Sequence, residues 1–321
     1  MRWTPPDKER FASKLRALKP FDPYHSPLCT CGPKLTLNVY TGCGFECLYC
    51  YTSTYSRGRW GRNSAAWGPR VDVLESLRRD LERIASAEDL AALRRLPVAL
   101  SLSSDPYPQT QRVSEAELGL TRQCIQMLVA AGHPLLVQTK SDLVVRDLDV
   151  LSAGRAVVGL TITTLDDALA GKLEPYAPGP ARRLKALSAA ARKGIKTLCR
   201  IDPLLPGVND DARALAELMK RLAAAGVNQV VSSTFKKRRD SAKRFAQAFP
   251  DAAAATESLY ETRERSGYRY MVEPERRRRM EQIKVLAESY GLVFSCCREA
   301  MPELNTVSCD GQHWLSVASN R

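Results

Sequence analysis

Three cysteines in one short segment, Cys43, Cys47 and Cys50, have the residue type and spacing to hold a metal cluster. The pattern C-x3-C-x2-C puts three thiolates on one loop, close enough to take three corners of a single iron–sulfur cube. Such clusters normally take four cysteines, so one iron is left for a ligand that is not protein. An open iron is a place for chemistry, whereas a closed cluster mainly carries electrons. Other chemistries fit the spacing less well. Structural zinc needs four tetrahedral ligands, usually two C-x2-4-C or H-x3-5-H pairs, and the nearest further thiols, Cys29 and Cys31, are joined by a tighter C-x-C link. A disulfide framework is unneeded in 321 residues that can bury a full core, and no apolar leader-like segment opens the chain. The ferredoxin run C-x2-C-x2-C-x3-C-P is absent.

Such a loop needs a scaffold, and the chain alternates β-type runs with helical patterns. Strands are expected at residues 35–40, which feed directly into the cysteine loop, and at 97–102, 134–138, 156–163, 195–201 and 228–232. Helices are expected between them at about 71–96, 114–132, 143–151, 181–193 and 210–225, with Gly132, Gly194 and Gly226 as C-terminal stops. Strands alternating with helices of this length make parallel βαβ units with right-handed crossovers. Six units fit an α/β fold of partial (β/α)6 barrel type within one core.

In such barrels the chemistry sits at the C-terminal ends of the strands. Those ends are polar here: Ser103-Ser104-Asp105, Thr139-Lys140-Ser141, Thr161-Ile162-Thr163, and Arg200-Ile201-Asp202 running on to Asn209 and Asp210. Each alone also reads as a helix or turn cap, as Asn209 or Asp210 does before the helix near Ala212. Together at equivalent positions they describe a concave, wet ligand site.

The cysteine loop resembles that of the radical S-adenosylmethionine superfamily. Four further segments are similar to its spore photoproduct lyase-related, DNA repair photolyase-like branch, over about residues 34–235. They are Asn38-x-Tyr40-x-Gly42-Cys43 with Tyr51, Ser104-Asp105-Pro106-Tyr107, Thr139-Lys140-Ser141 with Arg146-Asp147, and Glu174-Pro175 with Arg183. The resemblance implies a [4Fe–4S] cluster on Cys43, Cys47 and Cys50 whose open iron binds S-adenosyl-L-methionine. Reductive cleavage then gives a 5′-deoxyadenosyl radical that abstracts hydrogen from a substrate. It also implies that Tyr49 packs near the adenine and that Ser104, Asp105, Thr161, Thr163 and Glu174 line the cofactor pocket. Lys140 or Arg183 would pair the methionine carboxylate; Glu174 with Arg183 reads equally as a surface ion pair across a loop. A low-potential donor such as ferredoxin or flavodoxin is implied as well. Lyases of this branch repair a thymine dimer and return a hydrogen atom from a cysteine. Cys124 and Cys199 are the candidates for that role, but neither sits in a motif that matches it, and a cysteine within a helix or strand usually packs as a small hydrophobe.

The remaining sequence divides into an N-terminal extension at 1–33, the barrel core at 34–235, and a basic helical region with a cysteine-containing tail at 236–321. Cys29, Cys31, Cys296, Cys297 and Cys309 flank the core and could assemble an auxiliary iron–sulfur or zinc site, or be unrelated buried thiols. The net charge of +13 favours an anionic partner, nucleic acid above all, unless it reflects only an Arg-rich proteome. Two basic runs, at 236–239 with Lys243 and Arg244, and at 276–279, would offer phosphate contacts, and Tyr260, Tyr268 and Tyr270 stacking surfaces for bases. Lesion repair or base modification is therefore the leading activity. Radical modification of a peptide or small molecule, or a non-catalytic electron carrier, are the alternatives. No 18-residue apolar stretch is present, so the expected location is cytoplasmic, away from membranes.

Overall fold

A computed structural model describes residues 5–21, 28–29, 31–52, 68–110, 114–265 and 267–317. The expected N-terminal extension lies partly outside these residues, at 1–4, 22–27 and 30. The fold is α/β, built on one sheet whose strands follow chain order: β1 (Leu18–Phe21), β2 (Lys34–Leu37), β3 (Val98–Leu100), β4 (Leu135–Thr139), β5 (Ala156–Thr161), β6 (Lys196–Leu204), β7 (Gln229–Thr234) and β8 (Val293–Cys296). Strands β2 to β8 are parallel, and β1 runs antiparallel on the outer edge of β2. Because β1 and β8 end the sheet at opposite edges, the barrel is open.

Strands β2 to β7 are the six expected units. The extensions add one strand to each edge. Strand β1 was not expected because Pro20 interrupts its β pattern, but an edge strand tolerates a missing N–H. Helices fill the crossovers close to the predicted positions, among them Val73–Ser86, Pro180–Arg192 and Ala212–Ala224, and Glu273–Ser289 precedes β8. The expected helix at 114–132 breaks in two at Gly119, whose φ of 62° is left-handed. Gly194 and Gly226 end their helices with φ of 75° and 78°. The next amide then reaches back across the stop, Ile195 N to Ala190 O and Val227 N to Leu222 O. A residue with a Cβ would be strained there.

Side chains alternate across each strand, and the alternation separates two cores. Val98, Leu100, Leu135, Val137, Val158, Leu160, Cys199, Ile201 and Val230 face the helices in the larger core. Ala99, Leu136, Val157, Leu198 and Val231 face the lumen, where Cys31, Cys309 and Leu315 from the two extensions fill the space beneath the rim. The extensions are thus part of the barrel's floor.

Buried Asp80, on the first crossover helix, accepts hydrogen bonds from the amides of Arg16, Ala17 and Leu18 at 2.7–3.0 Å, which fixes the entry to β1. Replacing Asp80 with Ala leaves these donors unpaired and should cost about 3 kcal/mol, at roughly 1 kcal/mol or more for each buried amide. Denaturant unfolding should show the loss, with proteolysis advancing first near residues 16–18.

Candidate active site at the rim and lumen of the open barrel

The three cysteine thiols lie on a loop over the C-terminal rim of the sheet. Phe45, Leu48 and Tyr49 anchor it by packing with Leu173, Leu205, Phe235 and Phe245. The Leu48 amide donates to Leu173 O at 2.8 Å, and Cys50 N closes a turn on Cys47 O at 3.0 Å. Arg244, read in the sequence as part of a basic run, instead clamps this loop: its Nε donates to Leu48 O at 2.9 Å and its Nη2 to Cys50 O at 3.2 Å. Burial pushes the Cys43 thiol well above its ordinary range and Cys47 up to about 12, the nearby Lys140 ammonium offsetting part of the latter shift. Thiols so placed keep their protons unless a metal displaces them. The other cysteines lie elsewhere among the described residues. Cys124, Cys199 and Cys296 are in the helix-side core, and Cys31, Cys297 and Cys309 in the lumen. Three thiols and no fourth is the donor set that fits a [4Fe–4S] cluster with one open iron.

The rim residues expected to line a cofactor pocket fall into two groups. Glu174 and Arg183 are each 1% exposed, so their pair is no surface ion pair. The Glu174 carboxylate also accepts from the Tyr49 hydroxyl and, at 3.5 Å, from Thr163 Oγ1, while Arg183 donates to Thr161 O at 2.9 Å and Pro178 O at 2.6 Å. Asp105 is likewise engaged within the protein, by Thr139 Oγ1 at 2.6 Å, Lys140 N at 2.9 Å and Tyr107 N at 3.0 Å. Burial raises its pKa despite these donors. These groups shape the rim and have few lone pairs left for a ligand.

Lys140 differs. Its ammonium lies 5.4 Å from the centre of the Tyr49 ring, with no hydrogen bond or ion pair drawn to it among the described residues. Burial works against its charge, but Cys47 and Glu174 outweigh that and raise its pKa. Thr161 lies in the lumen-facing register of β5, and Ser104 Oγ donates to Tyr40 O at 3.2 Å. Asn209 does not cap the following helix. Asp211 does so, accepting from Ala214 N, while Asn209 ties Leu205 N, Thr163 O and Pro203 O together. Arg146 and Asp147 belong to a buried network with Glu115 and Tyr40 that holds the loop's entry strand.

Within the lumen, Arg200 pairs with Asp202, which also accepts from Ser233. Burial opposes the Asp202 charge, but Arg200 and Lys236 outweigh it and its pKa ends below the ordinary value. Cys31 and Cys309 pack in one cluster of the lumen with Cys297 against it, and Arg200 donates to Cys309 O at 3.4 Å. Hydrogen-bond donation from Cys309, aided by Arg200, draws Cys297 down to about 6 against its burial. Sequence grouped Cys296 with Cys297, but alternation turns Cys296 to the helix side, its thiol against Met301 O. Cys124 and Cys199 are wholly buried in that same outer core and face away from the lumen.

The basic runs correct the expectation of an open cationic rim. Lys237, Arg276 and Arg279 are buried, and Lys236 pairs with Glu299, Lys237 with Glu257, and Arg279 with Glu275 and Asp210. Tyr260 and Tyr270 are buried too. Of the expected stacking group, Tyr268 remains accessible, its ring 4.5 Å from the Arg238 guanidinium and 5.5 Å from that of Arg298. Tyr51, beside the last loop cysteine, has Tyr268, Arg200 and Asp202 around it. This joins the cysteine loop to the lumen.

The sequence profile described as Radical SAM superfamily matches residues 37–219. An uncharacterized protein of Methanocaldococcus jannaschii is 32% identical over 204 residues, taking in 61% of this chain and 69% of that protein. An uncharacterized protein of Mycobacterium tuberculosis is 30% identical over 205 residues, 61% of this chain and 57% of its own length. Among solved structures, a spore photoproduct lyase variant with bound AdoMet and dinucleoside spore photoproduct has a similar fold. Its TM-score is 0.62 at 16% identity, over 82% of this chain and 75% of that one. Streptococcus suis SuiB bound to S-adenosylmethionine gives a TM-score of 0.51 at 14% identity, over 82% and 50%. No helix among the described residues is long and apolar enough to cross a membrane.

Breaking the Glu174–Arg183 pair from one side strands a buried charge. Arg183→Met should therefore cost about 3–5 kcal/mol in chemical denaturation, and Glu174→Leu with Arg183→Met should recover most of the loss.

Proposed function

The chain belongs to the radical S-adenosylmethionine superfamily, and from that premise we propose that it cleaves this cofactor reductively and abstracts a hydrogen atom from a nucleic-acid substrate. The family's [4Fe–4S] cluster supplies, when bound, the electron that splits the sulfonium to methionine and the 5′-deoxyadenosyl radical. Cys43, Cys47 and Cys50 would hold it. The methionine carboxylate would gain a countercharge from Lys140, whose ammonium lies 5.4 Å from the centre of the Tyr49 ring. Ser104, Thr161 and Thr163 offer hydroxyls to the ammonium and ribose. Tyr49, held by Glu174 and Arg183, gives the adenosine end an apolar wall. Asp105 and Glu174 act in this reading as positioning residues that fix the rim.

The observation that carries the substrate class is Tyr268 between Arg238 and Arg298, next to Tyr51. A planar ring flanked by guanidiniums suits a splayed base and its phosphate, since stacking supplies about 1–3 kcal/mol per base and the cations neutralise backbone charge. The fold it shares with a lyase structure holding a dinucleoside lesion agrees with that class. Repair of a lesion and modification of a base are its two forms. A low-potential ferredoxin or flavodoxin would supply the electron.

Two measurements test the proposal. Reduced, anaerobic protein with S-adenosylmethionine should form 5′-deoxyadenosine, and deuterium from labelled DNA or RNA oligonucleotides should enter it. Label arriving only from peptides would move the substrate class, and no 5′-deoxyadenosine at all would leave an electron carrier. Lys140→Met should raise the dissociation constant for S-adenosylmethionine about tenfold, the worth of one charge-assisted contact. Tyr268→Ala should weaken oligonucleotide binding about tenfold or more without changing cofactor affinity.

A further inference from the structure

The lumen holds an ion pair that the rim reading does not use, Arg200 with Asp202. The two lie two residues apart on one face of β6, and Arg200 stands in register with Thr161 of β5. Asp202 also accepts from Ser233 of β7, and Arg200 donates to Cys309 O on the floor at 3.4 Å. These contacts leave the guanidinium with N–H groups and the carboxylate with lone pairs still unspent. The two side chains keep 14% and 22% exposure, so both can be reached from the lumen.

The floor below the pair is apolar, with Leu136, Val157 and Leu198 on adjoining strands. Gly159 lets two side chains close over β5, since a Cβ there would come within 2.7 Å of Leu198 Cδ1 and 3.5 Å of Gln138 Cγ. The Gln138 amide is half-buried and makes no hydrogen bond among the described residues.

Ion pairs that brace this fold join distant segments, as Arg183 does with Glu174, Lys34 with Asp310 and Lys236 with Glu299. Arg200 and Asp202 join nothing of the kind. They sit on one strand, and Ser233 belongs to a strand already in the ladder with β6. Charges held in the lumen at a cost in desolvation therefore point to a ligand. A guanidinium beside a carboxylate presents donors and acceptors side by side. A trans backbone peptide group cannot meet both, because its N–H and C=O point in opposite directions. A nucleobase can, because its Watson–Crick edge places a donor next to an acceptor.

On the premise that the substrate is a nucleic acid, we propose that Arg200 and Asp202 read the Watson–Crick edge of one unpaired base turned into the lumen, with the Gln138 amide as a further partner. The substrate is then single-stranded or has its target base out of the stack, since a paired base has no free edge to offer.

The test uses short strands in which one central base lies among abasic sugars, so that the phosphates stay and one edge varies. Each of the four bases is compared with a neutral analogue methylated on that edge: N3-methylthymine, N1-methylguanine, N6,N6-dimethyladenine or N4,N4-dimethylcytosine. Methylation keeps the stacking face. Anaerobically reconstituted protein with S-adenosylmethionine should bind at least one base about tenfold more tightly than its analogue, the worth of one bidentate base contact. Arg200→Met/Asp202→Leu removes both charges together and should bind the two strands within about twofold of each other at unchanged cofactor affinity. A preference retained in that variant overturns the proposal, because the edge is then read elsewhere. Should the double variant not fold, Gln138→Leu replaces an amide that braces nothing. Its preference should fall about threefold or more, and an unchanged preference overturns the proposal. Equal binding of every base and its analogue by the unaltered protein overturns the proposal and leaves the nucleic-acid reading standing, whereas no binding to any strand ends both.

Discussion

The buried pair of Arg183 and Glu174 connects the sheet to the chemistry. Arg183 holds the end of β5 through Thr161 O, and Glu174 holds the cysteine loop through the Tyr49 hydroxyl. Without this bridge the loop would keep its apolar packing on Leu173 and Phe245 but lose its fixed height above the lumen. A charge pair is expensive to bury, and packed apolar residues of the same size are often no less stable. What the pair adds is direction, because hydrogen bonds fix the orientation of a loop that apolar contacts alone leave adjustable. The same logic applies to Asp105, whose carboxylate ties β4 to the loop after β3 through Thr139 and the Lys140 amide.

Period-two alternation explains how ten cysteines serve different ends. One residue decides between a core filler at Cys296 and a lumen thiol at Cys297, and the same parity sends Cys199 to the helix side and Arg200 inward. The rim cysteines share one short loop, whereas Cys31 and Cys309 pack together because the lumen takes in segments from both extensions. The two extensions therefore form part of the barrel's floor.

Charge shows the opposite lesson. The runs at 236–239 and 276–279 look alike in sequence, yet their members meet different partners. Arg276 and Lys236 meet on Glu299, Arg279 reaches Asp210, and Arg244 clamps the cysteine loop. Arg238 remains beside the ring of Tyr268. The net positive charge of the chain is thus partly spent inside, and the mouth is marked by a few guanidiniums around an aromatic ring.

The sequence by itself carried the cysteine motif and the scaffold. Both are local: the cysteine spacing fits one loop, and each β/α unit announces itself through its own periodicity and its glycine stop. It also contained the parity that separates Cys296 from Cys297, a signal that the grouping of both as ligands passed over. Only the tertiary structure decided that Glu174, Asp105 and Asn209 are engaged by the protein's own groups, because the same side chains could equally have faced a ligand. It alone decided which thiols pack together, since Cys31 and Cys309 come from opposite ends of the chain into one lumen cluster. It decided the fate of the basic runs as well, because a guanidinium's partner is set by long-range packing that spacing along the chain does not encode.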